Sequence, residues 1–143
     1  MGRAMDKAEI AAYMETLDGV ETDATTPTTF FFYGSEHKFP FVTIKTCDDD
    51  LDRSSRLDRS PETFRLNIGL GKATYQALFG GAAGNDPDFA ALDRLIPHPV
   101  YGKTYWVAIL CPSHNTFETM VKPLITEAYD IAAGKRPART TNQ

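Results

Sequence analysis

The stretch Phe64-Arg-Leu-Asn-Ile-Gly-Leu-Gly-Lys72 is the predicted centre of the fold. Its large apolar residues alternate with polar or small ones, which is the two-residue period of a strand with one apolar face. Two glycines then interrupt this pattern, and from Lys72 onward the spacing is that of a helix. The sequence therefore predicts a strand, a turn rich in free backbone amides, and a helix. Arg65 and Asn67 share the polar face of this central strand.

The rest of the chain is interpreted outward from this strand by the same two periodicities. Helical spacing predicts amphipathic helices near both ends, and β-branched or aromatic runs predict further strands. Before the central strand, the predicted elements are a helix (6–17), a short strand or extended link (20–29), two strands (30–33 and 40–46) and a solvated polar loop with room for one helical turn (47–61). The central strand is followed by its helix (72–79) and by an irregular and mobile loop (80–87). The last predicted elements are a short helix capped by Asp88 (88–93), a strong strand (104–110) and a helix with a kink or late start at Pro123 (116–133).

This order of elements indicates the fold class. Strands concentrate in the first half and helices lie at both ends, which is typical of an α+β protein. We expect one domain over residues 6–133, built from a mainly antiparallel sheet with the N- and C-terminal helices packed on one face. Residues 134–143 are polar and are predicted to be a disordered tail.

Composition limits the classes of partner. The 143 residues carry a net charge of -4, and the pI is about 5.3. A nucleic-acid-binding protein usually shows a basic footprint, so nucleic acid is not expected as a partner. The first residues lack the apolar core of a signal peptide, and no run reaches the ~18 apolar residues of a membrane helix. We therefore expect a cytoplasmic protein that does not interact with a membrane.

Neither the cysteines nor the acidic loop predicts a metal site. Cys47 and Cys111 lie 64 positions apart and do not have metal-ligand spacing, so two free thiols are expected, with one disulfide as the alternative. The loop 47–61 is rich in aspartate, but it lacks the glycine and the distal glutamate of a calcium-binding EF-hand loop. We expect no metal and no cofactor.

The turn that follows the central strand partly resembles a phosphate-binding loop. The pattern fails at Leu66, where a glycine is required, and at Ala73, where serine or threonine would bind magnesium. Free amides at the start of a helix, with Lys72 beside them, can still hold an anion or a carboxylate. The alternative is that the glycines only allow a tight turn.

His98 is the strongest single candidate for chemistry. It lies between two prolines, which fix the local backbone, and Tyr101 and Trp106 are close in sequence. The alternative is a structural histidine that bonds to the backbone. Arg65 and Asn67 need partners if their face is covered, and they are binding groups if it lines a cleft. The resulting set of candidate ligand-binding residues is Arg65, Asn67, Lys72, His98, Tyr101 and Trp106.

Six short motifs together resemble a known family. They are Phe30-Phe-Phe-Tyr33, Lys38-Phe-Pro-Phe-Val-Thr43, Phe64-Arg-Leu-Asn-Ile-Gly69, Pro97-His-Pro-Val-Tyr-Gly102, Tyr105-Trp106-Val107 and Thr116-Phe-Glu-Thr119. As a set, they resemble the DUF6194 domain family of uncharacterised bacterial proteins. More loosely, the Phe-Pro-Phe-Val-Thr strand and the closing helix are similar to MmcQ/YjbR-like proteins. That similarity implies a small α+β fold with flanking helices, and some members of this wider group are suggested to bind DNA. It implies no catalytic residue.

The leading functional hypothesis is a non-catalytic module that binds a small anionic or aromatic ligand, or a protein segment. Arg65 and Lys72 would supply charge, His98 and Asn67 hydrogen bonds, and the two aromatic residues a stacking wall. Two alternatives remain open. One is a small hydrolase- or isomerase-type enzyme that uses His98 as acid or base, and the other is a nucleic-acid-binding YjbR-like protein. A homodimer is a further expectation.

Overall fold

A computed structural model describes residues 3–80 and 87–134, and within them six strands form one antiparallel sheet. The spatial order is β1-β2-β3-β4-β6-β5, so the predicted central strand, β4, lies between β3 and β6. The strands are β1 (Val20–Asp23), β2 (Thr29–Tyr33), β3 (Val42–Lys45), β4 (Arg65–Gly69), β5 (Ile96–Pro97) and β6 (Trp106–Leu110). The predicted α+β class with a mainly antiparallel sheet is confirmed.

The register of the sheet separates an apolar face from a polar face. In β4, Leu66 pairs with Ile44 of β3 and with Ile109 of β6, and Leu66 is fully buried. Residues directly opposite in a ladder point to the same face, so these three side chains contribute to one apolar layer. Arg65 and Asn67 alternate with this layer and therefore lie on the opposite face.

Helix α1 (Lys7–Glu15) covers part of the apolar face, as predicted for residues 6–17. Asp6 and Glu9 form the predicted capping box: the Asp6 carboxylate accepts from the Glu9 N–H, and the Glu9 carboxylate accepts from the Asp6 N–H. Ile10 and Met14, four residues apart on one helical face, are fully buried in the core.

The last helix, α3, has three consecutive parts: an α-helical turn (His114–Thr116), a π-helical turn (Phe117–Val121) and an α-helix (Lys122–Ala132). Pro123 lies in the first turn of the last part, where its missing N–H costs little. The predicted irregularity at Pro123 is therefore a π-helical turn just before it. Leu124, Ile125 and Ala128 pack into the core that α1 also reaches.

Helix α2 (Lys72–Phe79) follows β4 after a short turn, as predicted. The predicted helix at residues 88–93 is wrong. Asp88 caps a turn instead, because its carboxylate accepts the N–H of Ala90 only two residues further on. Leu92 then forms an isolated bridge to Leu110 of β6.

The prediction of a solvated loop at residues 47–61 is also wrong in part. The loop contains the short helical turn, at Leu57–Arg59, but Asp52, Ser55 and Leu57 are buried. Asp48 folds the loop back on itself, since its carboxylate accepts the N–H groups of Leu57 and Asp58. The loop thereby lies over one end of the polar sheet face.

Cys47 and Cys111 are both free and half-buried. Among the described residues, no helix has the length and apolar character that a membrane span requires. Most of the predicted mobile loop (80–87) and of the predicted tail (134–143) falls at residues 81–86 and 135–143, outside the described residues.

Candidate functional site

The polar face of the sheet forms the floor of a cavity. Thr43 pairs with Asn67, and Lys45 pairs with Arg65, so β3 and β4 place four polar side chains side by side. On the other side of β4, Gly69 pairs with Trp106 of β6. The helices pack on the opposite face, and among the described residues the loop 47–61 and the segment after β5 contribute to covering this face.

The cavity has a volume of about 710 Å³, which is within the range of small-molecule sites. Five of the six residues predicted to bind ligand line it, and Lys72 does not. Its lining residues are Thr28, Phe30, Phe39, Pro40, Thr43, Lys45, Asp49, Leu51, Asp52, Arg65, Asn67, His98, Val100, Tyr101 and Trp106.

Arg65 is fully buried and organises the polar floor. Its Nη1 and Nη2 atoms donate to the two oxygens of Asp52 at 2.9 and 2.5 Å. Nη1 also donates to the hydroxyl of Ser55, and Nε donates to Oδ1 of Asn67 at 2.8 Å. A planar guanidinium with five N–H hydrogens can form this bidentate pair together with the two further hydrogen bonds, which a lysine could not reproduce.

Charges on the floor compensate each other. Lys45 pairs with Asp49 and lies 3.7 Å from the carboxylate of Asp52. Burial raises the pKa of Asp52, but the hydrogen bonds and charge of Arg65, with the charge of Lys45, outweigh that effect and hold the pKa below its ordinary value. The floor therefore holds two cations and two carboxylates.

His98 is buried, and its imidazole contacts the backbone on one side and Arg65 on the other. Its Nδ1 atom accepts the backbone N–H groups of Val100 and Tyr101, each at 3.0 Å. A neutral imidazole has one acceptor nitrogen and one N–H donor, so these two bonds assign the proton to Nε2. Nε2 lies 3.4 Å from Nη2 of Arg65, which is itself a donor.

The environment keeps His98 neutral. Burial first, and then the positive charge of Arg65, lower the pKa of His98 to about 4, and the negative charge of Asp52 offsets part of this effect. The imidazole therefore acts as a fixed hydrogen-bond donor near neutral pH. The prediction of a structural, backbone-bonded histidine fits Nδ1, whereas Nε2 is near the Arg65 guanidinium and has no backbone partner among the described residues.

Aromatic side chains form the walls and rim. The indole of Trp106 packs against Gly69, where a Cβ atom would be only 3.0 Å from Cε2 and Cζ2 of the indole. The ring of Tyr101 is 5.1 Å from the imidazole of His98, measured between ring centres. Tyr101 is 59% exposed, Phe39 79% and Leu51 88%, so the rim presents large apolar side chains to solvent.

Lys72 is exposed and lies at the turn between β4 and α2. The predicted amide-rich turn does hold a carboxylate there, but the carboxylate belongs to Glu127 of α3. Oε2 of Glu127 accepts the N–H of Gly71 at 2.9 Å, and Oε1 accepts the hydroxyl of Thr74. This internal acceptor occupies the position that an external anion would use.

The sequence prediction did not include five polar residues of the cavity lining, nor Ser55, which accepts a hydrogen bond from Arg65; the five are Thr28, Thr43, Lys45, Asp49 and Asp52. Thr43 and Lys45 had a usable signal, since they alternate with the apolar residues of β3 as Arg65 does in β4. Asp52 and Ser55 had none, because the loop has no periodicity. No group of three or more His, Cys, Asp or Glu side chains able to hold a metal ion occurs among residues 3–80 and 87–134.

Comparison with known proteins gives one match. No curated protein and no solved structure matches the chain, so the similarity to MmcQ/YjbR-like proteins stays a prediction. The model of a family of unknown function, DUF6194, matches residues 5–141, which is nearly the whole chain and confirms the resemblance predicted from the motifs. The chain belongs to the DUF6194 family.

Proposed function

We propose that this protein is a non-catalytic module that binds a small molecule in the cavity on the polar face of its sheet. The observation that carries the proposal is the convergence of a polar floor and aromatic walls on one cavity. Binding sites for small molecules are commonly mostly apolar, with a few fixed polar groups that orient the ligand. Arg65, Asn67 and His98 are such groups, and each is held by hydrogen bonds within the protein.

The rim of the cavity gives further support. Phe39, Leu51 and Tyr101 expose most of their surface although they are large and apolar. Scattered apolar residues are ordinary on a protein surface, but a group of them around a concave site is typical of a binding site. A ligand seated over the floor would cover part of these side chains.

An enzymatic role of His98 as acid or base has less support. A general base needs a free lone pair and a pKa near the working pH. The lone pair of His98 lies on Nδ1 and accepts two backbone N–H groups, and its pKa is lowered to about 4. Neutral Nε2–H donates a hydrogen bond but does not release its proton near neutral pH.

Two other expectations stay predictions. Nucleic-acid binding is disfavoured by the net charge of -4. A homodimer and a cytoplasmic location rest on the sequence alone, and sedimentation at two protein concentrations checks the first. A sedimentation coefficient that does not change with concentration would exclude self-association in that range.

A thermal-shift screen of metabolites tests the proposed function. A ligand present at 100 times its dissociation constant adds about 2.7 kcal/mol of stability. Tyr101→Ala removes a largely exposed wall residue and should abolish most of the shift without unfolding the protein. Lys72→Ala, an exposed residue outside the cavity, is the matched control and should leave the shift unchanged. A shift that persists in Tyr101→Ala, or one that disappears in Lys72→Ala, contradicts the proposal.

A further inference from the structure

We infer that the ligand of this cavity is an uncharged planar ring compound with a carbonyl oxygen, which accepts a hydrogen bond from Nε2–H of His98. This inference rests on the proposed function and specifies its ligand class.

Arg65 has one N–H hydrogen that no acceptor among the described residues binds. Four of its five N–H hydrogens have acceptors: the two oxygens of Asp52, the hydroxyl of Ser55 and Oδ1 of Asn67. The remaining hydrogen, on Nη2, is directed toward Nε2 of His98 at 3.4 Å. Because Nε2 carries its own hydrogen, this contact joins two donors.

The Nε2–H group of His98 needs a hydrogen-bond acceptor. Nε2 of His98 has no acceptor within hydrogen-bond distance among residues 3–80 and 87–134, and the His98 side chain is almost wholly buried. Buried donors without partners are rare because losing their hydrogen bond to water is costly. Both residues line the cavity, so an oxygen atom from a ligand in the cavity can reach Nε2–H and lie beside the guanidinium.

The charge balance of the cavity lining favours an uncharged ligand. The charged residues of the lining are Lys45 and Arg65 on one side and Asp49 and Asp52 on the other, and His98 is neutral. Their formal charges cancel. A ligand carboxylate would lose its water shell without gaining a net positive charge, which disfavours an anion. A carbonyl oxygen supplies the same acceptor without a full charge.

The aromatic walls of the cavity favour a flat ligand. Tyr101 and Trp106 approach the imidazole of His98 from two directions, with ring centres 5.1 and 6.4 Å away. Phe30 and Phe39 extend the aromatic lining on the other side of the floor. Aromatic walls favour flat ligands, because rings pack best against other rings in stacked or edge-on arrangements.

Three probes with the same ring test this ligand class on the full chain by NMR titration. They are 1-naphthamide, which carries a neutral carbonyl, 1-naphthoate, which carries a carboxylate, and 1-methylnaphthalene, which has no acceptor. We expect 1-naphthamide to bind about tenfold more tightly than each of the others, which is the effect of about 1.4 kcal/mol from one hydrogen bond. Equal affinity for all three, or tightest binding of 1-naphthoate, overturns the ligand class but leaves the binding cavity intact.

Two variants locate the effect. His98→Asn keeps an oxygen that can accept the backbone N–H groups but removes Nε2–H, so in this variant 1-naphthamide should bind no more tightly than 1-methylnaphthalene. Tyr101→Ala should weaken binding of all three probes by a similar factor. An unchanged preference in His98→Asn overturns the inference. If no probe binds, this ligand class is overturned and the metabolite screen still decides the proposed function; if Tyr101→Ala has no effect on any probe that binds, the proposed function fails as well.

Discussion

The guanidinium of Arg65 and the carboxylate of Asp52 form a buried bidentate ion pair, with Nη1–Oδ1 at 2.9 Å and Nη2–Oδ2 at 2.5 Å. Arg65 belongs to the middle of the sheet, and Asp52 belongs to the loop before it. The pair therefore ties the loop 47–61 to the sheet and closes one end of the cavity.

Removing the carboxylate should destabilise the fold. Asp52→Ala leaves the fully buried Arg65 without a counter-charge, and breaking a buried pair in this way typically costs about 3 kcal/mol or more. We expect a loss of this size in the free energy of unfolding, measured with urea at pH 7. Asp50→Ala is the control, because Asp50 is fully exposed and its pair with Arg53 is 3.4 Å long. It should change stability by less than about 0.5 kcal/mol. Similar losses in both variants would show that the ion pair does not hold the loop.

Stability should depend on pH through His98. Its pKa is about 4 in the folded protein and near 6.5 in the unfolded chain. Between these values the unfolded chain binds a proton that the folded protein does not bind. The free energy of unfolding therefore falls as pH decreases from 6.5 to 4, by up to about 3 kcal/mol. Urea unfolding at several pH values should show a clearly smaller fall for His98→Asn than for the natural protein. Parallel curves for the two proteins would mean that His98 is not kept neutral by folding.

The contact between Gly69 and Trp106 should be sensitive to a single methyl group. Gly69→Ala places a Cβ atom 3.0 Å from the indole, so the ring must move. We expect a cost of about 1 kcal/mol and a changed fluorescence spectrum, since Trp106 is the chain's single tryptophan. Gly80→Ala is the control, because the nearest atom to the added group is 3.8 Å away. A spectrum unaffected by Gly69→Ala would place the indole elsewhere.

The architecture could be predicted from the sequence because it follows from local periodicity. The alternation from Phe64 to Leu70 requires a strand with one buried face, and the adjacent β-branched runs supply its neighbours. The predicted helix at residues 88–93 was wrong because a side-chain bond from Asp88 to Ala90 favours a turn and because Leu92 pairs with Leu110. Neither interaction leaves a periodic signal.

The cavity was only partly predictable. Arg65, Asn67 and Trp106 share a face by alternation, and His98 and Tyr101 adjoin this face through the pairing of β5 with β6. Asp52 could not be identified, since nothing local distinguishes it from the other aspartates of its loop. Lys72 was grouped with the cavity because the sequence did not show that Glu127, 55 residues later, would occupy the adjacent amide.

The protonation state of His98 is the most decisive property of the proposed binding site. Long-range proton–nitrogen NMR on protein labelled with ¹⁵N-histidine distinguishes the two ring nitrogens, and His98→Asn identifies the signal of His98. We predict a proton on Nε2 and none on Nδ1 at pH 7, no titration of the ring until the pH approaches 4, and a shift of the Nε2 signal when 1-naphthamide is added. A proton on Nδ1, a titration near pH 6.5, or an Nε2 signal that 1-naphthamide leaves unmoved would contradict this prediction.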